Sequence, residues 1–259
     1  LILDDIFYRK QTEIARRKQN TPFQAVEEKL AGMPTTRDFA AALKRPLAII
    51  AEVKRRSPSR GTLREDLDAA DVALLYEKNR AAAVSVLTDE TFFGGSDADL
   101  AAVKGRVKLP ILRKEFIIDA YQIAESRAIG ADAVLLIAAL LDEAQLRDYR
   151  QMAEALGLAA VVEVHDRDEL AASVASGARI IGVNNRNLKT FRTDIRISLD
   201  LGPRIPHTAI PVCESGIETR ADIERLTQAG FHAFLIGGAL VLSADIGEKL
   251  REFTGGQRE

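Results

Sequence analysis

A closed (β/α)8 TIM barrel carrying a helical N-terminal extension is the fold this sequence predicts, and three observations predict it. Eight apolar runs alternate with amphipathic helical patterns from Leu47 onward. The units repeat at about 25 to 30 residues each, and 259 residues is the usual size of a barrel built this way. Hydrophobic residues make up 47% against only 5% aromatic, with no Trp, so the core is aliphatic, as in parallel strands covered by helices. Strict alternation implies parallel pairing through right-handed crossovers, and eight units favour a closed barrel over an open doubly wound sheet.

Residues 1 to about 45 read as helices laid against the barrel, with Ile2, Ile6, Ile14, Phe23, Val26 and Leu30 spaced among charges and a short helix opening at Thr36-Arg37-Asp38-Phe39. The predicted strands lie near 47 to 54, 82 to 87, 109 to 114, 132 to 138, 158 to 164, 179 to 185, 209 to 214 and 233 to 237. The predicted helices lie near 67 to 79, 97 to 104, 119 to 129, 142 to 156, 166 to 176, 195 to 201, 219 to 229 and 244 to 253. Gly130, Gly157, Gly177 and Gly230 stand where helices should end in a left-handed turn. No linker-like or low-complexity stretch interrupts the series, so 1–259 is expected to be one domain.

Lys and Arg number 36 against 38 Asp and Glu, a net charge of -2, which argues against nucleic acid or an anionic membrane as partner. The single cysteine, Cys213, excludes an intrachain disulfide and fits a reducing cytoplasm. The three histidines lie far apart, without metal-ligand spacing, and no run reaches the ~18 apolar residues of a membrane span. A cytoplasmic chain without a visible export signal is expected, and the missing initiator Met predicts a processed or trimmed start. Neither a G-x-G-x-x-G turn nor a P-loop is present. The composition leaves monomer or weak homo-oligomer open.

In such a barrel the chemistry gathers at the carboxyl ends of the strands. Alternation puts Glu52 and Lys54 on one face at the end of the first strand, and an unpaired charge there is costly unless it is used. The pattern recurs with Lys114 on the third strand, Glu163 and His165 on the fifth, Asn184 and Arg186 on the sixth, and Glu214 and Ser215 on the seventh. Converging on one mouth, these residues predict an acid-base site for a polar, anionic substrate. Lys114 could form a Schiff base if its pKa fell, but the surrounding Glu52, Glu163 and Glu214 should hold it as ammonium, which favours a general acid.

The endings Glu214-Ser215-Gly216-Ile217-Glu218-Thr219 and Leu235-Ile236-Gly237-Gly238-Ala239-Leu240 lie where bare backbone N–H groups commonly bind phosphate. Lys54 and Ser57 on the first loop could close over that anion, so a small phosphorylated substrate is expected.

Ile50-Ala51-Glu52-Val53-Lys54 followed by Ser57-Pro58-Ser59, with Leu112-Arg113-Lys114-Glu115-Phe116-Ile117-Ile118-Asp119, resembles the indole-3-glycerol phosphate synthase family. Leu87-Thr88-Asp89-Glu90 with Phe92-Phe93 and Gly95-Ser96, Gly130-Ala131-Asp132-Ala133-Val134-Leu135-Leu136-Ile137, Val162-Glu163-Val164-His165, Gly182-Val183-Asn184-Asn185-Arg186-Asn187-Leu188 and Glu214-Ser215-Gly216-Ile217 agree with it, and the resemblance covers every βα unit and the helical N-terminal extension. It implies a carboxy-lyase of tryptophan biosynthesis, working without cofactor or metal. Its substrate would be 1-(2-carboxyphenylamino)-1-deoxyribulose 5-phosphate, closed to indole-3-glycerol phosphate with loss of carbon dioxide and water.

By that resemblance Lys114 is the general acid, Glu163 serves the dehydration, and Lys54 pairs with the substrate carboxylate or assists hydroxyl departure. Glu52 and Glu214 orient the lysines and substrate hydroxyls, Asn184 binds substrate and Arg186 holds the acidic cluster together. Ser57, Ser215, Gly216, Gly237 and Gly238 map to phosphate positions. The chain departs from the family's common residues at Gly238, Val241, Glu115 and Ala120. Alternatives are another phosphate-binding barrel such as a phosphoribosyl isomerase, a Schiff-base aldolase using Lys114, or an inactive binding paralogue. The first does not explain Glu52 with Lys54 and Lys114.

Overall fold

A computed structural model describes residues 2–58, 61–188, 190 and 192–256. Eight parallel strands, β1 (Ala48–Val53), β2 (Ala83–Leu87), β3 (Ile111–Lys114), β4 (Ala133–Ile137), β5 (Ala159–Val164), β6 (Ile180–Asn184), β7 (Ile210–Glu214) and β8 (Ala233–Ile236), follow one another around a closed barrel. Closure is made by β8 on β1, with Ala48 opposite Ala233 and Ala51 opposite Ile236. Each strand lies within two residues of its predicted place.

Side chains alternate across each strand, and the two faces meet different partners. Ile50, Leu112, Leu135, Val161, Val212 and Leu235 point inward and fill the barrel. Ile49, Val84, Val134, Val162, Ile181 and Phe234 point outward against the helical ring. Both faces are buried, so the strands read as continuous apolar runs. Gly130, Gly157, Gly177 and Gly230 all have positive φ (97°, 77°, 83° and 98°), the left-handed turn expected after a helix.

The N-terminal segment forms α1 (Ile2–Asn20), α2 (Phe23–Leu30) and α3 (Phe39–Leu43). Asp38 caps α3 by accepting from Ala41 N, and Phe39 and Leu43 pack with Ala48, Ala83, Ala133 and Ala233 at the strand starts. The opposite end receives α1. Its Lys10, only 1% exposed, has Nζ 2.9 Å from both Asp89 and Glu115, on the loops after β2 and β3. Ile14 and Val26 pack on Tyr121 and Ala124 of the helix Ala120–Ala128, so the extension covers the barrel at both ends.

Small elements not legible in the periodicity include a hairpin pairing Arg56–Ser57 with Gly61–Thr62, the one-turn helices Glu90–Phe93 and Gly238–Val241, and the 3-10 turns Ala138–Leu140 and Gly202–Arg204. All but the last lie in βα loops, where turn chemistry replaces alternation. Ser59 and Arg60, in the loop after the first strand, lie outside the described residues. Among the described residues no helix is long and apolar enough to cross a membrane.

Candidate active site

The carboxyl ends of the strands surround a cavity of about 150 Å3. Glu52, Lys54, Ser57, Lys114, Glu163, Asn184, Arg186, Glu214, Ser215, Gly216, Gly237 and Gly238 all line it. Inward parity delivers them: Glu52 continues Ala48 and Ile50, Lys114 follows Leu112, and Glu163, Asn184 and Glu214 follow Val161, Gly182 and Val212. Register then brings them together, with Glu163 beside Gly182 and Asn184 beside Glu214.

Lys114 lies between two carboxylates. Its Nζ donates to Glu163 Oε2 at 2.8 Å and stands 3.2 Å from Glu214 Oε2. The second contact is within reach of charge attraction but off the hydrogen-bond line, so neither Glu214 oxygen has an aligned partner among the described residues. Burial opposes the ammonium, yet Glu163, Glu214 and Glu52 outweigh it and hold the Lys114 pKa above the ordinary lysine value. This lysine is a cation.

The two glutamates are driven apart. For Glu163, burial pushes up, but Lys114 and His165 together pull its pKa below the ordinary carboxylate value. Its other oxygen accepts from Asn184 Nδ2 at 3.1 Å. Asn184 is oriented in turn by Arg186, whose backbone N–H donates to Asn184 Oδ1 at 3.0 Å. For Glu214, burial pushes up more than Lys114 pulls down, and Glu163 adds repulsion, leaving it raised to about 7. Neighbouring carboxyls with opposed shifts are the usual arrangement for acid-base work at neutral pH.

Glu52 and Lys54 share a face as alternation predicted, and they pair at 2.8 Å. Two glycines make room for the carboxylates. A Cβ on Gly237 would meet Glu52 Oε1 at 2.5 Å, and one on Gly182 would meet Glu214 Oε1 at 2.3 Å. Ser215 and Gly216 both have positive φ (65° and 76°), and the Ser215 carbonyl accepts from Asn185 Nδ2 at 3.0 Å. The helix Gly238–Val241 starts on the same rim; Leu240 and Val241 donate their N–H groups to the Gly237 carbonyl, which leaves those of Gly238 and Ala239 with no acceptor within the helix.

Several contributors escaped the strand-end reading. Ile6 of α1, with Phe93, Phe116 and Leu188, forms an apolar wall on the cavity; the two rings stand 6.1 Å apart. Lys10 supports that wall, because Asp89 caps the helix holding Phe93 and Glu115 precedes Phe116. Phe93, Phe116 and Leu188 belong to the motif runs, but period-two alternation does not say which loop residues turn inward. The departure Glu115 accepts from Thr88 Oγ1 at 2.8 Å as well as meeting Lys10. Among the described residues no group of three or more His, Cys, Asp or Glu side chains is placed to hold a metal ion.

The fold is also that of thiamine phosphate pyrophosphorylase from Pyrococcus furiosus, with a TM-score of 0.60 over 81% of this chain and 94% of that one, at 13% identity. Closer similarity is found in sequence. Indole-3-glycerol phosphate synthase of Chlorobium chlorochromatii (strain CaD3) is 50% identical over 248 residues, 94% of this chain and 96% of that protein. The protein of the same name in Variovorax paradoxus (strain S110) is 48% identical over 258 residues, 96% of this chain and 97% of its own length. The family model for indole-3-glycerol phosphate synthase matches residues 3–253, spanning the barrel and the helices before it, and the chain therefore belongs to the indole-3-glycerol phosphate synthase family.

Proposed function

We propose that the protein is a carboxy-lyase that closes 1-(2-carboxyphenylamino)-1-deoxyribulose 5-phosphate to indole-3-glycerol phosphate, releasing carbon dioxide and water. The observation that carries this reading is the Lys114 ammonium held between Glu163 and Glu214 in the cavity. The apolar wall of Ile6, Phe93, Phe116 and Leu188 suits the aromatic ring, and the Ser215-Gly216 and Gly237-Gly238 loops with Ser57 suit the phosphate.

Lys114 donates to the ketone oxygen as the ring carbon bearing the carboxylate attacks the carbonyl carbon. Loss of the carboxylate as carbon dioxide returns its bonding pair to the ring and restores aromaticity. Departure of the new hydroxyl as water, with removal of one proton, completes the indole. Lys54, paired to Glu52 at 2.8 Å, offers a second cation for the substrate carboxylate or the leaving hydroxyl. Once Lys114 has given up its proton it no longer draws on Glu163 and Glu214, and both become stronger bases. The base thus gains strength after the acid has acted.

A Schiff-base aldolase would need Lys114 neutral, and its three carboxylate neighbours oppose that. The test is indole fluorescence on adding the carboxyphenylamino-deoxyribulose phosphate to purified protein in chelator. A catalytic rise is expected. Absence of a rise, with the substrate bound in competition with phosphate, would overturn the activity.

A further inference from the structure

We propose that His165 is a positioning residue for this reaction: it stands as an imidazolium between Glu169 and Glu163, and keeps the Glu163 carboxylate ionised and turned toward Lys114. The inference rests on the synthase reading and adds to it a residue behind the cavity wall.

His165 follows β5 two residues after Glu163, on the same face. Its ring Nδ1 is 3.0 Å from Glu169 Oε2, and the same carboxylate oxygen accepts the His165 backbone N–H at 2.7 Å. Its Nε2 is 3.3 Å from Glu163 Oε1, close enough for charge pairing although off the ideal hydrogen-bond line. Both ring nitrogens therefore face carboxylate oxygens. An ionised carboxylate only accepts, so a neutral ring would turn a lone pair against one of them. The doubly protonated ring fits both sides.

Other groups around the ring agree. Lys114 on β3 holds the far oxygen of Glu163, and Asn184 on β6 is neutral. Asp166 is occupied as the cap of the helix Arg167–Ala175, accepting from Glu169 N. The single turn Ala138–Leu140 packs against β5 and that helix without bringing a titratable side chain. Burial disfavours the charged ring, but the facing carboxylates of Glu163 and Glu169 outweigh it and raise its pKa to about 10.

The consequence concerns where the Lys114 proton goes. Glu163 is in hydrogen-bond contact with Lys114, and in a buried site the pair could collapse to a neutral amine and a carboxylic acid. A second cation beside Glu163 opposes that collapse. The proton is then kept for the substrate oxygen.

The experiment compares wild type with His165→Ala and His165→Asn, following kcat and KM against pH by product fluorescence. It adds 15N NMR of the imidazole in the substrate-free protein near neutral pH. Expected are protonation of both ring nitrogens, a fall in kcat of about tenfold in His165→Ala with little change in KM, and an acid limb moved to higher pH. The shift should be about one unit. His165→Asn, which keeps a donor but no charge, should recover part of kcat and leave the limb displaced. A neutral ring, or a folded alanine variant with the wild-type kcat and acid limb, would overturn the proposal. If the alanine variant does not fold, the asparagine variant and the NMR decide. Absence of wild-type turnover would sink the synthase reading itself, whereas turnover unaffected by the variants sinks only the role of His165.

Discussion

Gly182→Ala alters a residue that bears no chemistry, and the structure says what it should do. The new methyl would stand 2.3 Å from Glu214 Oε1 and 3.4 Å from Val161 Cγ1. An ordinary contact needs about 3.5 Å, so the carboxylate must retreat by roughly 1 Å. Its buried end can move because it borders the cavity, at the cost of a side-chain torsion off its minimum, about 0.5 to 1.5 kcal/mol. For a chain of this size that lowers the melting temperature by about 1 to 6 °C.

Activity should suffer far more. The retreat disturbs the 3.2 Å contact of Glu214 with Lys114, and a misplacement of about 1 Å in an active site can cost on the order of 100-fold in rate. Thermal melts beside kcat/KM from the fluorescence assay would measure both effects. A variant melting with the wild type and turning over within twofold of it would refute the reasoning, since neither the crowding at Gly182 nor the need for Glu214 at its observed place would survive.

Three further outcomes follow from the charges. Lys114→Met should nearly abolish turnover while leaving circular dichroism and phosphate affinity largely intact; unchanged turnover would remove Lys114 from the mechanism. Glu214 has a folded pKa raised from its ordinary 4.5 to about 7, so the folded state keeps a proton that the unfolded chain has lost. Stability should therefore fall as pH rises through that window and level off above it, and Glu214→Gln should flatten the fall in denaturant titrations. Lys10→Met should cost about 3 to 5 kcal/mol, because it strands the buried Asp89 and Glu115 carboxylates. Lys18→Met, which loses an exposed pair with Asp119, should cost less than about 1 kcal/mol, and equal melts for the two variants would contradict the burial argument.

The strand-end residues were readable in the chain because two simple rules placed them. Period-two alternation set Glu52, Lys114, Glu163, Asn184 and Glu214 facing inward, and the strand-helix rhythm set them at the carboxyl ends. Local sequence also determined where helices stop, since a left-handed turn after a helix strongly favours glycine.

Tertiary structure alone decided the distances. Lys114 meets Glu163 from 49 residues away, and which carboxylate it bonds depends on the register and closure of the barrel. The opposed shifts of Glu163 and Glu214 follow from that choice, because two identical side chains differ only in what surrounds them. The apolar wall was equally hidden: Ile6 reaches the cavity because Lys10, one helical turn on, is drawn to Asp89 and Glu115, a long-range pairing that no local pattern encodes. Alternation and capping act over a few residues, so the chain displays them directly. Charge pairing and burial act across space, and exist only once the barrel has closed.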